Sequence, residues 1–114
     1  MGRTFVPERG DIVWLEFDPQ AGREQAGHRP ALVLSPAYYN RSSSLALFCP
    51  ITSRVRGYPF EVVLPHGLPV QGAILSDQVR SLDWKARSAR RFCVVAEEVL
   101  EEVYARVRAL LEEE

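Results

Sequence analysis

The chain has 114 residues, which makes one ordinary domain and leaves no room for a second core. It is 46% hydrophobic and 25% charged, the profile of a globular sequence and not of a disordered one. No apolar run approaches the roughly 20 residues of a membrane span, and the start, Met1-Gly2-Arg3-Thr4-Phe5, lacks the apolar core of a secretion signal. The expectation is a cytoplasmic protein with no membrane partner.

The net charge of −1 hides a split. Residues 1–96 carry 12 basic and 8 acidic side chains, a balance of +4; residues 97–114 carry 2 and 7, a balance of −5. A basic body with an acidic terminal segment can still bind a polyanion, because the local field outweighs the net charge. All the basic residues but Lys85 are arginines, whose planar forks suit phosphate recognition. Cys49 and Cys93 have neither redox nor zinc spacing and read as two unpaired core thiols.

In chain order, Ile12 to Phe17 reads as a strand, with Val13, Leu15 and Phe17 on one face. Asp18-Pro19 stops it, and residues 18–29 form a long polar loop with two glycines. Pro30 to Ser35 holds the run Ala31-Leu32-Val33-Leu34, typical of a strand buried on both faces. Residues 37–44 read as a turn or short helix running into an exposed loop, Arg41-Ser42-Ser43-Ser44. Leu45 to Ser53 and Phe60 to Leu64 read as strands joined by a hairpin link at Arg54-Val55-Arg56-Gly57. Ala73 to Leu82 reads as a strand interrupted by a bulge near Ser76-Asp77, and Phe92 to Val95 as a last strand.

The final segment changes period. Val99, Val103, Val107 and Leu110 recur at helical spacing, with Leu100, Tyr104 and Leu111 beside them and acids around the other face. Glu97 and Glu98 sit in its first turn, where the helix dipole favours them. Short strands followed by one helix predict a mainly β, α+β fold: a small, curled, antiparallel barrel with a C-terminal amphipathic helix.

Two stretches could carry chemistry. The loop ending in His28-Arg29-Pro30 is long for so small a domain. It holds Glu24 and His28, either of which can move a proton near neutral pH, and Arg29, a fixed cation where the loop enters a buried strand. The second is Pro50-Ile51-Thr52-Ser53-Arg54-Val55-Arg56-Gly57-Tyr58. Hydroxyls followed by two arginines can hold a phosphate, and Tyr58 and Phe60 offer stacking faces to unpaired bases. Ordinary solvated loops would have similar compositions. His28 and His66 lack a carboxylate at ligand spacing, so no metal site is expected. There is no Walker loop, dinucleotide fingerprint or Gly-x-Ser-x-Gly elbow, and no cofactor is expected.

Five ordered blocks carry a resemblance. They are Gly10-Asp11-Ile12-Val13-Trp14; Gln25-Ala26-Gly27-His28-Arg29-Pro30-Ala31-Leu32-Val33-Leu34-Ser35; Pro50-Ile51-Thr52-Ser53; Gly57-Tyr58-Pro59-Phe60-Glu61-Val62; and Ser76-Asp77-Gln78-Val79-Arg80-Ser81-Leu82-Asp83-Trp84. In this order and spacing the sequence resembles the MazF/PemK toxin family, its MazF branch most closely, from about Arg9 into the final helix. The resemblance implies a small SH3-like barrel and a homodimeric toxin of a type II toxin–antitoxin pair, held silent by a cognate MazE-like antitoxin. It also implies metal-independent cleavage of single-stranded RNA, such as mRNA, at short motifs, leaving a 2′,3′-cyclic phosphate and a 5′-hydroxyl.

The family's catalytic pair carries over onto Arg29 and Thr52, with Glu24 and His28 both open as the base. Asp18, Gln25, Ser53, Arg54, Arg56, Tyr58, Phe60 and Gln78 are expected to contact RNA. The competing reading is a non-catalytic, gyrase-binding toxin of the CcdB type, which resembles the same fold. There the contact lies at a C-terminus ending in an aromatic and small residues, and Leu111-Glu112-Glu113-Glu114 does not match it.

Overall fold

In the computed structural model, residues 5–17 and 27–112 are described. Their elements run β1 (Asp11–Glu16), β2 (His28–Val33), α1 (Ala37–Ser43), β3 (Leu45–Thr52), β4 (Glu61–Val63), β5 (Ala73–Leu75), β6 (Arg80–Asp83), β7 (Arg90–Val94) and α2 (Glu97–Glu112). Every strand pairing is antiparallel. The sheet order is β4-β5-β3-β2-β1-β7, with β6 also paired to β3.

Alternation in the central strands sets the packing. Val13, Leu15, Ala31, Val33, Ala46 and Phe48 fall on one face and join Leu82 and Trp84 in one apolar cluster. Ile12, Leu32, Cys49 and Ile51 fall on the other and join Ile74, Leu100 and Val103 in a second. Both faces are therefore covered, which explains why Ala31-Leu32-Val33-Leu34 reads as an unbroken apolar run. The result is the expected mainly antiparallel, barrel-like α+β fold with a C-terminal helix.

The long strand β3 organises the curl. Leu45 to Phe48 pair with β6, whereas Ile51 and Thr52 pair with β5. The expected single strand from Ala73 to Leu82 is thus two strands, and the break near Ser76-Asp77 is a turn between them, not a bulge. The Arg54–Gly57 link is likewise not a hairpin, because β5 lies between β3 and β4. The polar lead-in to Pro30 also departs from expectation: His28 and Arg29 belong to β2, opposite Glu16 and Leu15. Residues 41–43 belong to α1, and the Ser42 and Ser43 hydroxyls donate back to the Tyr38 and Tyr39 carbonyls.

Three polar clamps hold the elements together. Asn40 is fully buried; its amide donates to the Pro7 and Ser35 carbonyls, and its side-chain oxygen accepts from the Ser35 hydroxyl at 2.6 Å. Its own carbonyl accepts from the Trp84 indole at 2.9 Å. The buried Asp11 carboxylate takes the Glu8 amide and two donors of Arg91. The Tyr104 hydroxyl ties α2 to the chain just past β2 through the Leu34 carbonyl at 2.6 Å. Along α2, Leu100 and Val103 are buried and Val99 and Val107 partly so, while Leu110 and Leu111 stay exposed.

Candidate functional site

The β2–β3 ladder pairs Ala31 with Pro50, Leu32 with Cys49 and Val33 with Phe48. Arg29 and Thr52 each lie two residues beyond the Ala31–Pro50 pair, near the start of β2 and at the end of β3. Both lie on the Ala31–Pro50 face, because strand side chains alternate. The Arg29 guanidinium reaches across to the Ile51 carbonyl at 3.4 Å. Two residues distant in sequence thus line one open groove of about 800 Å³.

The groove gathers most of the expected residues. Arg29, Thr52, Ser53, Arg54, Arg56, Tyr58, Phe60 and Gln78 all line it. The Thr52 hydroxyl accepts the Arg54 amide at 3.1 Å, so its own proton is the one it has to give. His28 goes elsewhere. One residue from Arg29 on the strand, it projects from the opposite face, stacks on Trp14 with ring centroids 5.5 Å apart, and places Nδ1 3.8 Å from Glu16. Asp18, Glu24 and Gln25 lie outside the described residues.

Three groove residues carry no expectation from the sequence. Glu61, Leu75 and Asp77 also line it. The buried Glu61 carboxylate accepts from the Arg56 amide at 3.1 Å and the Gly57 amide at 2.9 Å, so it acts as a peg for the 54–59 turn. Asp77 is an exposed carboxylate beside the three groove arginines. It also helps, after burial itself, to push the Cys49 thiol up to about 12, which leaves that thiol inert. Two further arginines hold the chain at the end of β1: Arg80 donates to the Phe17 carbonyl at 3.2 Å and Arg87 to the Glu16 carbonyl at 2.8 Å. The Phe17 amide donates to the Gly27 carbonyl at 2.9 Å. Nothing in local spacing marks these carbonyl contacts. Glu61, by contrast, follows a Gly-Tyr-Pro turn at a distance where a carboxylate commonly binds turn amides.

Comparison with known proteins decides the family. Residues 8–111 match the model for PemK-like, MazF-like toxins of type II toxin–antitoxin systems. The chain belongs to the PemK/MazF toxin family. It is 48% identical over 111 residues to the endoribonuclease toxin MazF of Escherichia coli strain K12, covering 97% of this chain and 99% of that one. It is 39% identical over 108 residues to the endoribonuclease PemK of Escherichia coli, covering 91% and 81%. The crystal structure of MazF from Deinococcus radiodurans superposes with a TM-score of 0.92 at 53% identity, covering 95% of this chain and 98% of that one. As a PemK/MazF-family toxin, the chain thus presents its groove on a fold shared with named endoribonucleases over nearly its whole length.

Proposed function

We propose that this protein is the toxin of a type II toxin–antitoxin pair. In this reading one cytoplasmic domain cuts single-stranded RNA, mRNA included, at a short sequence motif. The observation that supports it most is that Arg29 and Thr52, from different strands, line one groove together with Arg54, Arg56 and Tyr58. Cations for phosphate and rings for unstacked bases are what a single strand requires.

The reaction is attack by the RNA's own 2′-hydroxyl. The 2′-oxygen–phosphorus bond forms, the bond from phosphorus to the 5′-oxygen breaks, and a 2′,3′-cyclic phosphate and a 5′-hydroxyl result. The nucleophile comes from the substrate, so DNA is not cut. In this reading Arg29 stabilises the extra negative charge on the phosphorane as a preorganised cation and gives the departing 5′-oxygen a proton, which it regains from water. It is not the base, because a guanidinium hardly deprotonates. Thr52 donates to a phosphate oxygen and holds the in-line geometry. We assign removal of the 2′ proton to Glu24 over His28, because His28 stacks on Trp14 outside the groove. Asp18, Gln25 and Gln78 belong with Ser53 and Phe60 to base and backbone contact.

The active unit in this reading is a homodimer, silenced by a cognate antitoxin. A structural relative is a MazE–MazF complex from Deinococcus radiodurans, 46% identical with a TM-score of 0.86. An acidic antitoxin segment would lie where RNA phosphates lie, with hydrophobic anchors offsetting its ordering entropy. The test is incubation of the protein with single-stranded RNA in excess EDTA. Discrete cuts bearing 5′-hydroxyl ends support the reading. Intact RNA, or cutting that only added magnesium or zinc restores, overturns it.

A further inference from the structure

The wall of the groove between Ser53 and Pro59 has no apolar anchor of its own, since every residue in it is exposed. Its position must come from polar tethers on its main chain. One is the Thr52 hydroxyl on the Arg54 amide, and a second is the Glu61 carboxylate on the Arg56 and Gly57 amides. Both arise from residues beside the wall in sequence. The third comes from 47 residues away: Arg106, on α2, donates to the Pro59 carbonyl.

Arg106 is built for this contact. Its second nitrogen is held at 2.8 Å by Glu102, one turn earlier on the same helix, which fixes the direction of the fork. Its Nε is buried without a hydrogen-bond partner among the described residues. A surface helix would more cheaply leave this arginine in water; here part of its hydration is given up to reach Pro59. The Tyr58 carbonyl is taken by the Glu61 amide at 3.1 Å, so the turn is gripped at 56, 57, 58 and 59. Tyr58 and Arg56, both in the groove, ride on that grip.

We infer that Arg106 is a positioning residue for RNA binding: it straps the Ser53–Pro59 wall to α2 and so sets where Tyr58 and Arg56 meet the substrate. This rests on the RNA-cleaving reading above. Arg106 touches no reacting atom in this scheme, so its loss should weaken binding and leave the chemical step alone.

The experiment compares wild type with Arg106→Leu, Arg106→Lys and Glu102→Gln, using a short cleavable RNA and amide hydrogen exchange by NMR. Arg106→Leu should raise KM about tenfold with kcat within about twofold of wild type, and speed exchange at Arg56 and Gly57. Arg106→Lys keeps one donor for Pro59 and should recover most of the KM, while Glu102→Gln should fall between. Unchanged KM and unchanged exchange in folded Arg106→Leu protein would overturn the inference. So would an Arg106→Lys protein that melts like wild type yet is as impaired as Arg106→Leu. The exchange measurement needs no cleavage. A wild type that cuts no RNA therefore refutes the functional reading, while exchange at Arg56 and Gly57 still decides the strap.

Discussion

Gly72 lies directly against the backbone of Thr52: a Cβ at position 72 would stand 2.0 Å from the Thr52 carbonyl oxygen and 3.1 Å from the Ser53 Cα. Its φ of +124° is also one that other residues rarely adopt. No side chain fits there unless β5 parts from β3, because the obstacle is main chain. Gly72→Ala should destabilise the protein by roughly 2–5 kcal/mol and displace Thr52 from Arg29. Urea unfolding measures the first effect and RNA cleavage at a temperature where the variant is still folded measures the second. A variant with wild-type stability would show that β5 can shift at little cost.

Arg29→Ala and Thr52→Ala should each lower cleavage by on the order of 10²–10³ while leaving the fold intact, the usual cost of losing a transition-state donor. Arg29→Lys should recover little, since an ammonium lacks the fork that reaches both phosphate and backbone. Single-turnover cleavage, with circular dichroism as the folding control, checks this. Near-normal cutting by folded Arg29→Ala protein would remove Arg29 from the mechanism.

Arg54 and Arg56 stand exposed at the groove and should act through charge. Replacing both with Glu should weaken binding of a labelled uncut RNA to a Thr52→Ala background. It should also flatten the slope of log K against log salt by about 1.4, the loss of two single-strand phosphate contacts. Fluorescence anisotropy across a salt series reads both quantities. A slope identical to that of the parent would mean the two side chains meet bases, or nothing.

The Cys49 thiol, held up at about 12 mainly by burial, links stability to alkaline pH. Below the ordinary thiol value of 9.0, folded and unfolded chains are both protonated there and the group has no effect. Between 9 and about 12 the unfolded chain loses this proton and the folded one keeps it. Stability should therefore fall by up to roughly 1.4 kcal/mol per pH unit across that window. Cys49→Ala should lessen the fall, and comparing urea midpoints at pH 8 and about 10.5 tests it. In native protein at pH 8, iodoacetamide should modify the half-buried Cys93 well ahead of Cys49.

The legible parts of the chain were those whose signal is local. Alternation in β1 and the apolar runs of β2 and β3 reflect burial on each face, and the i, i+4 valines of α2 reflect one packed stripe. The break between β5 and β6 reads as a bulge because it depends on β3, which pairs with one strand and then the other. His28 and Arg29 read as loop because they are polar, yet they continue β2. The same period of two that marks Ala31 and Val33, extended backwards, puts Arg29 on their face and His28 on the other. Arg80, Arg87 and Arg106 carry no sequence signal, because each captures a main-chain carbonyl far away in the chain. A carbonyl is offered by any residue, so no partner type marks the contact.

The tethers on the Ser53–Pro59 wall all grip backbone, and that has a consequence for how such a protein can diverge. Side chains at 53, 54, 55, 56 and 58 can be exchanged without touching either apolar cluster or any of the bonds that hold the segment in place. On the RNA-cleaving reading, the preferred motif could then drift under selection at almost no cost in fold, while Arg29 and Thr52 stay held in β2 and β3. A library randomised at these five positions should therefore yield mostly folded proteins with scattered cleavage preferences. One dominated by unfolded members would show that recognition and folding are coupled after all.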